Sequence, residues 1–561
     1  MSGSSQRALR LGTLAIALVV AVWVLGFAPR GFFSGDSGVK LVQAYGLWSS
    51  GFSSRALPYD HELDPDERFF PYQRQDFTRV VDGERQGTYS VTFCALAALV
   101  LGLLGRAGLA LPALLGAALM AWGMLRVCEQ TRMPTGPALA GIAAALLASP
   151  ALFYSSQLAE HTLAAGLAVC AYALIAPAPT DADADAEPAR AGRAAAAGAV
   201  AAVAATFRPE GYCMLAALGL AVAASPGLTL SARIRRCLGY LAGSVPIVAG
   251  YWLLNLATAD TWDPLVSANT RPDKVAAARL TNVLLWGELP GGTRPWQWLA
   301  AAALPALVGL LPERVRGRPL AAVARSLAAV AVVVVAVRAQ QLGSGRVLAG
   351  LFSVTPVLAF GLLAGPWGPR RRGPWLCAAL FLLQLAVLPS GGNAGGLQLG
   401  ARLLMPAVPF LCLLVSFELA GVDRARAARV WPRRVATAAA LVLALASLRG
   451  LSVGMPQAVD ITAKGAAFAQ AAHDAPASVI IARRGWESQL AATVLLDGKE
   501  LYEVRGSLIP LARALLARGT RAFAVVAREP IEAPLDRAHR LRTVSATRGW
   551  LDLQHVVIDG P

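Results

Sequence analysis

Apolar runs long enough to cross a hydrocarbon core recur along this chain from residue 12 to about residue 450, and most breaks between them are short and either Arg-rich or Gly/Pro-rich. A helix needs roughly 17 to 25 apolar residues to span a bilayer. A chain of 561 residues that is 56% hydrophobic and only 15% charged cannot hide that much apolar surface in one water-soluble core. The pattern therefore predicts an all-α polytopic membrane protein. Residues 452 to 561 break it, being polar enough to stay outside the bilayer.

Spanning helices are expected at about 12–29, 109–127, 136–154, 162–177, 194–207, 211–225, 237–256, 296–312, 319–338, 346–364, 374–389, 403–420 and 435–451, thirteen in all. The apolar run 88–105 is read as a helix lying along or dipping into the outer face. With the N-terminus inside, the arginine clusters at 7–10, 126–132, 190–193, 233–236, 314–325, 370–372 and 424–434 then all fall on the cytoplasmic side. Counting 88–105 as a span would place nearly all of them outside, against the positive-inside rule.

This topology predicts a multi-pass membrane protein with a transmembrane domain over 1–451, a long first outer loop over 30–108, and a small external α/β domain over 452–561. The tail alternates strand-like runs (477–482, 500–504, 521–527, 553–560) with helix-like ones (486–497, 507–518). The net charge of +17 follows the loops of a membrane protein, so nucleic acid is not expected as a partner. Seven cysteines lie in or beside apolar segments without CxxC spacing, which argues against disulfides and zinc.

The outer loops carry the chemistry. In "GFFSGDSGVKLVQAYGLWSSG", Asp36 and Lys40 stand just beyond the first apolar run. One reading is a capped helix start with an i,i+4 ion pair; the other is a functional carboxylate. Asp60, Asp64, Asp66 and Glu67 form an acidic stretch without the glycine turn of a calcium loop, which favours a solvated loop over a cation site. Glu160 and His161 of "LAEHT" suit acid/base work or substrate positioning, or an interfacial helix start. Arg208 in "TFRPEGY" could clamp a phosphate, or pair with Glu210 to close a tight turn. Arg271 and Lys274 lie in an outer loop with Asn255 and Asn269, and Arg402 follows the Gly-rich "GGLQLGA" at the mouth of a helix.

The order of these motifs, with "GLFSVTPVLAFG" at 350–361 and "GGLQLGARLLMPAVPF" at 395–410, resembles the GT-C superfamily of membrane glycosyltransferases over residues 10 to 420. The bacterial relatives of dolichyl-phosphate-mannose:protein mannosyltransferases are the branch it looks most like. That resemblance implies an inverting hexosyltransferase that uses a polyprenyl-phosphate-linked sugar at the outer face, with a lipid, glycan or protein as acceptor. It places Asp36 at the position of the catalytic base, although the mannosyltransferases proper carry Asp-Glu there and this chain has Asp36-Ser37. Lys40, Glu160, His161, Arg208, Glu210, Arg271, Lys274 and Arg402 are the accompanying candidates for substrate and donor binding. No cofactor or metal is expected if arginines stabilise the leaving phosphate. The competing reading is a transporter or flippase of lipid-linked sugars, which would more often place its ionisable groups near the midplane and show inverted repeats.

Overall fold

The computed structural model describes residues 2–28, 31–72, 77–176, 187–269, 304–311, 319–342, 350–363, 365–387, 399–400, 402–424 and 430–560. In chain order the elements are α1 Gly3–Val22, α2 Gly35–Ser49, β1 Thr78–Val81, β2 Glu84–Gly87, α3 Val91–Leu104, α4 Leu111–Gln130, α5 Thr135–Leu146, α6 Ala151–Tyr154, α7 His161–Ile175, α8 Glu187–Phe207, α9 Glu210–Ala223, α10 Leu230–Ala259 and α11 Pro264–Asn269. Then come α12 Pro319–Leu342, α13 Leu351–Val354, α14 Val357–Leu363, α15 Pro369–Val387, α16 Val408–Arg424, α17 Val430–Asp474, β3 Val479–Ala482, α18 Gly485–Ala491, β4 Glu500–Glu503, α19 Ile509–Ala517, β5 Ala522–Val526, β6 Glu532–Pro534, β7 Arg540–Thr547 and β8 Leu553–Asp559.

Five helical stretches among the described residues are long and apolar enough to cross a membrane: Gly3–Phe27, Val91–Gln130, Leu230–Ala259, Arg402–Ala420 and Ala438–Asp474. Others, such as α5, α7 and α9, are apolar but shorter. Most of the thirteen expected spans coincide with helices, while of 296–312 only residues 304–311 are described. On α1 and α10, Leu11, Leu14, Leu18, Leu238, Leu241 and Leu253 are more than half exposed, as helix faces turned to lipid would be.

The chain divides into two compact units. The first comprises Met1–Ala28, Ala110–Leu256 and Thr261–Gln457. Its helices meet through small residues, the device by which apolar helices pack when lipid removes the hydrophobic drive between them. A side chain at Gly116 or Gly166 would run into the backbone of the opposite helix in the α4–α7 pair, and Gly198 and Gly243 play the same part between α8 and α10. Thr162 Oγ1 donates to the Ala113 carbonyl at 2.9 Å, fixing the start of α7 against α4.

The second unit comprises Pro29–Leu109, Ala257–Asp260 and Ala458–Pro561. Its sheet runs β4-β3-β5-β8-β7-β6, with β3 parallel to β4 and β5 and the remaining pairs antiparallel. The strands and helices expected in the tail are present, joined by β6 and β7. Val479, Ile481, Tyr502, Leu511, Phe523 and Val556 are in its core, and Tyr59, Leu63 and Phe69 of the first outer loop pack on it. The Glu503 N–H donates to the Phe69 carbonyl at 2.8 Å, and Arg518 pairs with Asp60 at 2.6 Å.

The acidic stretch of that loop is more buried than the sequence suggests. Asp64 is 3% exposed; it accepts from the Tyr59 hydroxyl at 2.6 Å and the Phe69 N–H at 2.7 Å. Glu67 pairs with Arg85 and Asp66 with Arg68. These carboxylates hold the loop's turns in place.

The run 88–105 forms α3, which packs on α2 within the second unit. Its 14 residues reach only about 21 Å at 1.5 Å per residue, short of the roughly 30 Å hydrocarbon core. Gly105, at φ +62°, ends it, and a 3-10 turn at Gly105–Ala110 leads into α4. None of the seven cysteines is in a disulfide.

The motif "SGDSG" acquires a packing reason here. Cβ atoms at Gly35 and Gly38 would overlap Gln489 of α18, at Gly38 its backbone carbonyl. Backbone cannot swing aside, so Gly38→Ala should destabilise by about 1–3 kcal/mol. Gly136→Ala, on a helical position with open space, should be neutral or mildly stabilising. Thermal unfolding of the purified full-length variants reads both; equal melting would show that α2 and α18 adjust freely.

Candidate functional site

In the first unit, the N-terminus of α7 and the turn between α8 and α9 bring Glu160, His161, Arg208 and Glu210 together. Arg208 Nη1 donates to Glu160 Oε1 at 2.6 Å, and its Nε donates to Glu210 Oε1. His161 Nε2 lies 3.4 Å from the same Nη1. All four residues are at most 9% exposed. Burial alone would lower the Arg208 pKa, yet Glu210 and Glu160 hold it above the ordinary value. A guanidinium matched to two carboxylates is the arrangement that makes such burial tolerable. The Arg208/Glu210 pair read from "FRPEG" is present, and Glu160, 48 residues earlier, is a second partner that local sequence could not show.

The site extends toward Arg402 through Tyr154. The Tyr154 and His161 rings meet edge on at 5.5 Å, and the Tyr154 hydroxyl accepts from the Leu399 N–H at 3.0 Å. Gly400, at φ +56° and against Pro150, then turns the chain into the 3-10 segment Arg402–Ala407, where Arg402 is 6% exposed. Here glycine is required twice over, by backbone conformation and by space.

A second cluster adjoins Glu210. Tyr212 donates to Asp263 at 3.3 Å and accepts from the Trp252 indole at 3.0 Å, with the ring of Trp262 close to both aromatics. Asp263 caps α11 by accepting from the Leu265 and Val266 N–H groups, and Asn255 donates to the Trp262 carbonyl at 3.3 Å. Burial pushes the Asp263 carboxyl up, assisted by the charge of Glu210 and opposed by its hydrogen bonds. Asp263 did not stand out in the sequence, because Asp-Pro before a helix is an ordinary cap signal. Arg271 and Lys274 lie outside the described residues.

In the second unit, Asp36 occupies the first turn of α2 and is half-buried. A carboxylate there is favoured by the positive end of the helix. One turn on, Lys40 is 1% exposed, with its ammonium 4.8 Å from the centre of the Tyr89 ring and 5.8 Å from that of Phe93. Gln43 donates to the Tyr89 carbonyl at 3.0 Å. Lys40 and Gln43 thus anchor α2 to the start of α3 and fix the helix that bears Asp36.

No family model matches the chain, and no curated protein does. Solved structures do. ArnT from Cupriavidus metallidurans bound to undecaprenyl phosphate is 15% identical, with 97% of each chain covered and a TM-score of 0.46. The same protein in the apo state is 14% identical over 97% of each chain, with a TM-score of 0.48. The archaeal oligosaccharyltransferase AglB from Archaeoglobus fulgidus, in complex with an inhibitory peptide and a dolichol-phosphate, is 13% identical over 92% of this chain and 69% of its own, with a TM-score of 0.44. This chain resembles them. No residue role is transferred with that likeness.

Proposed function

We propose that the protein is an integral membrane glycosyltransferase that moves a sugar from a polyprenyl-phosphate donor to a lipid, glycan or protein acceptor at the outer face of the bacterial inner membrane. The observation that carries this reading is the placement of Asp36. It is a half-buried carboxylate in the first turn of a helix fixed by Lys40, Gln43 and a glycine contact to α18, directly after the first apolar helix. A base needs to be both held and reachable.

In the proposed reaction Asp36 takes the proton of an acceptor hydroxyl as its oxygen attacks the anomeric carbon. The bond from that carbon to the phosphate oxygen breaks, its electron pair leaves with the polyprenyl phosphate, and the configuration inverts. Charge growing on the phosphate calls for a fixed cation, and Arg402 is assigned that role. Arg208 already serves Glu160 and Glu210, so it acts as a positioning residue that holds Glu160 and His161. Arg271 and Lys274 remain candidate donor contacts, and Lys40 supports the helix of Asp36. The concentration of candidate charges in loops and helix mouths favours transfer over transport.

The test is transfer of labelled sugar from polyprenyl phosphate by membranes containing the protein. Wild-type membranes should transfer. Arg402→Lys keeps the charge but loses the planar fork, so transfer should fall by about tenfold or more while thermal unfolding is unchanged. Absence of transfer with every polyprenyl-phosphate sugar, together with movement of lipid-linked sugar across vesicles, would replace the reading with a flippase.

A further inference from the structure

The second unit carries a cleft of about 1010 Å³ at the carboxyl ends of β3, β4 and β5. Its position follows from the strand order. The chain leaves β3 through α18 to reach β4 on one side, and returns through α19 to β5 on the other side of β3. The loops after β3 and β5 therefore diverge, and that divergence is where open α/β sheets bind ligands. The loop after β3 contributes Arg483, Arg484 and Trp486, the loop after β5 contributes Arg528, and the β7–β8 connection contributes Trp550. The volume lies at the upper end of the roughly 300–1,000 Å³ of small-molecule sites, enough for more than one sugar ring.

Its chemistry narrows the ligand. The Trp486 and Trp550 rings are 5.5 Å apart and inclined at 44°, and they remain 36% and 46% exposed. Two adjacent exposed indoles offer flat apolar faces to a ligand that presents C–H groups on one side and polar groups on its edge. Among the described residues, none of the Arg483, Arg484 and Arg528 guanidinium groups around the cleft is in an ion pair, which leaves their charge available to a ligand. Three acids line the same cleft: Glu529 is exposed, Glu487 feels the Arg484 charge, and Glu487 and Asp552 are held by backbone N–H groups. Glu487 accepts from the Arg483 and Arg484 N–H groups at 2.8 and 3.0 Å, and Asp552 from the Gly549 N–H at 3.1 Å.

We infer that this cleft binds a saccharide bearing an anionic group, carboxylate or phosphate, with the ring on the Trp486/Trp550 faces and the charge among Arg483, Arg484 and Arg528. The inference deepens the proposed function by naming a class of acceptor glycan, and it rests on that reading to that extent.

Binding to the full-length protein in detergent, with no donor present, is measured by calorimetry with trigalacturonate, glucose 6-phosphate and neutral maltotriose. At least one anionic saccharide should bind about tenfold or more tightly than maltotriose, equivalent to about 1.4 kcal/mol or more. The two anionic arms distinguish carboxylate from phosphate. Trp486→Ala and Arg484→Ala, both on exposed side chains, should each weaken that binding by a similar factor. Binding of none of the three, equal binding of anionic and neutral sugars, or unchanged binding in both variants would overturn the inference. A protein that binds the saccharide yet transfers no sugar from any donor would refute the transferase reading alone, and one that transfers without such binding would refute the cleft alone.

Discussion

Replacing Asp36 by Asn lowers sugar transfer by about 10² to 10⁴-fold, the loss typical of removing a general base, while the protein stays folded and keeps its affinity for the donor. Asn retains the size of Asp and most of its capacity to cap α2, so a purely structural Asp36 would give a nearly wild-type variant. The two outcomes are therefore orders of magnitude apart. The measurement is the initial rate of transfer by membranes holding equal amounts of each protein, with thermal unfolding alongside. Equal rates would remove Asp36 from the chemistry.

Arg208→Met carries the largest expected effect on stability. The guanidinium is buried between Glu160 and Glu210. Its loss leaves two carboxylates inside the protein without their cation, which costs about 3–5 kcal/mol for a broken buried pair. The triple variant Glu160→Gln, Arg208→Met, Glu210→Gln removes the stranded charges and should regain much of that loss. Thermal unfolding of the purified protein reads both, and a single variant as stable as wild type would show that water reaches the cluster freely.

Sequence and structure agree most where the signal is local. Helix positions follow from apolar runs, and the βαβαβ order of the tail follows from its alternation. Strand β7, Arg540–Thr547, escaped because most of its residues are exposed and it lacks the apolar alternation of a half-buried strand. What sequence could not supply is partnership across distance. The pair Arg208/Glu210 is visible two residues apart, but its extension to Glu160 depends on the packing of α7 on α8. The glycines around Asp36 read as a helix start, and nothing near them announces Gln489. The acidic outer loop looked solvated because its partners are the loop's own backbone and arginines as distant as Arg518.

The discontinuity of the second unit has a consequence for biosynthesis. Its first portion ends at Leu109 and its last begins at Ala458, about 350 residues later, apart from the short piece Ala257–Asp260. At about 5–20 residues per second, translation separates the two by roughly 20 to 70 seconds. Throughout that interval Tyr59, Leu63 and Phe69 lack the core they finally join, and α2 lacks α18. The nascent chain must therefore keep these apolar side chains, set in an acidic loop, from premature association until their C-terminal complement emerges, and Asp36 gains its finished surroundings only when synthesis is nearly complete.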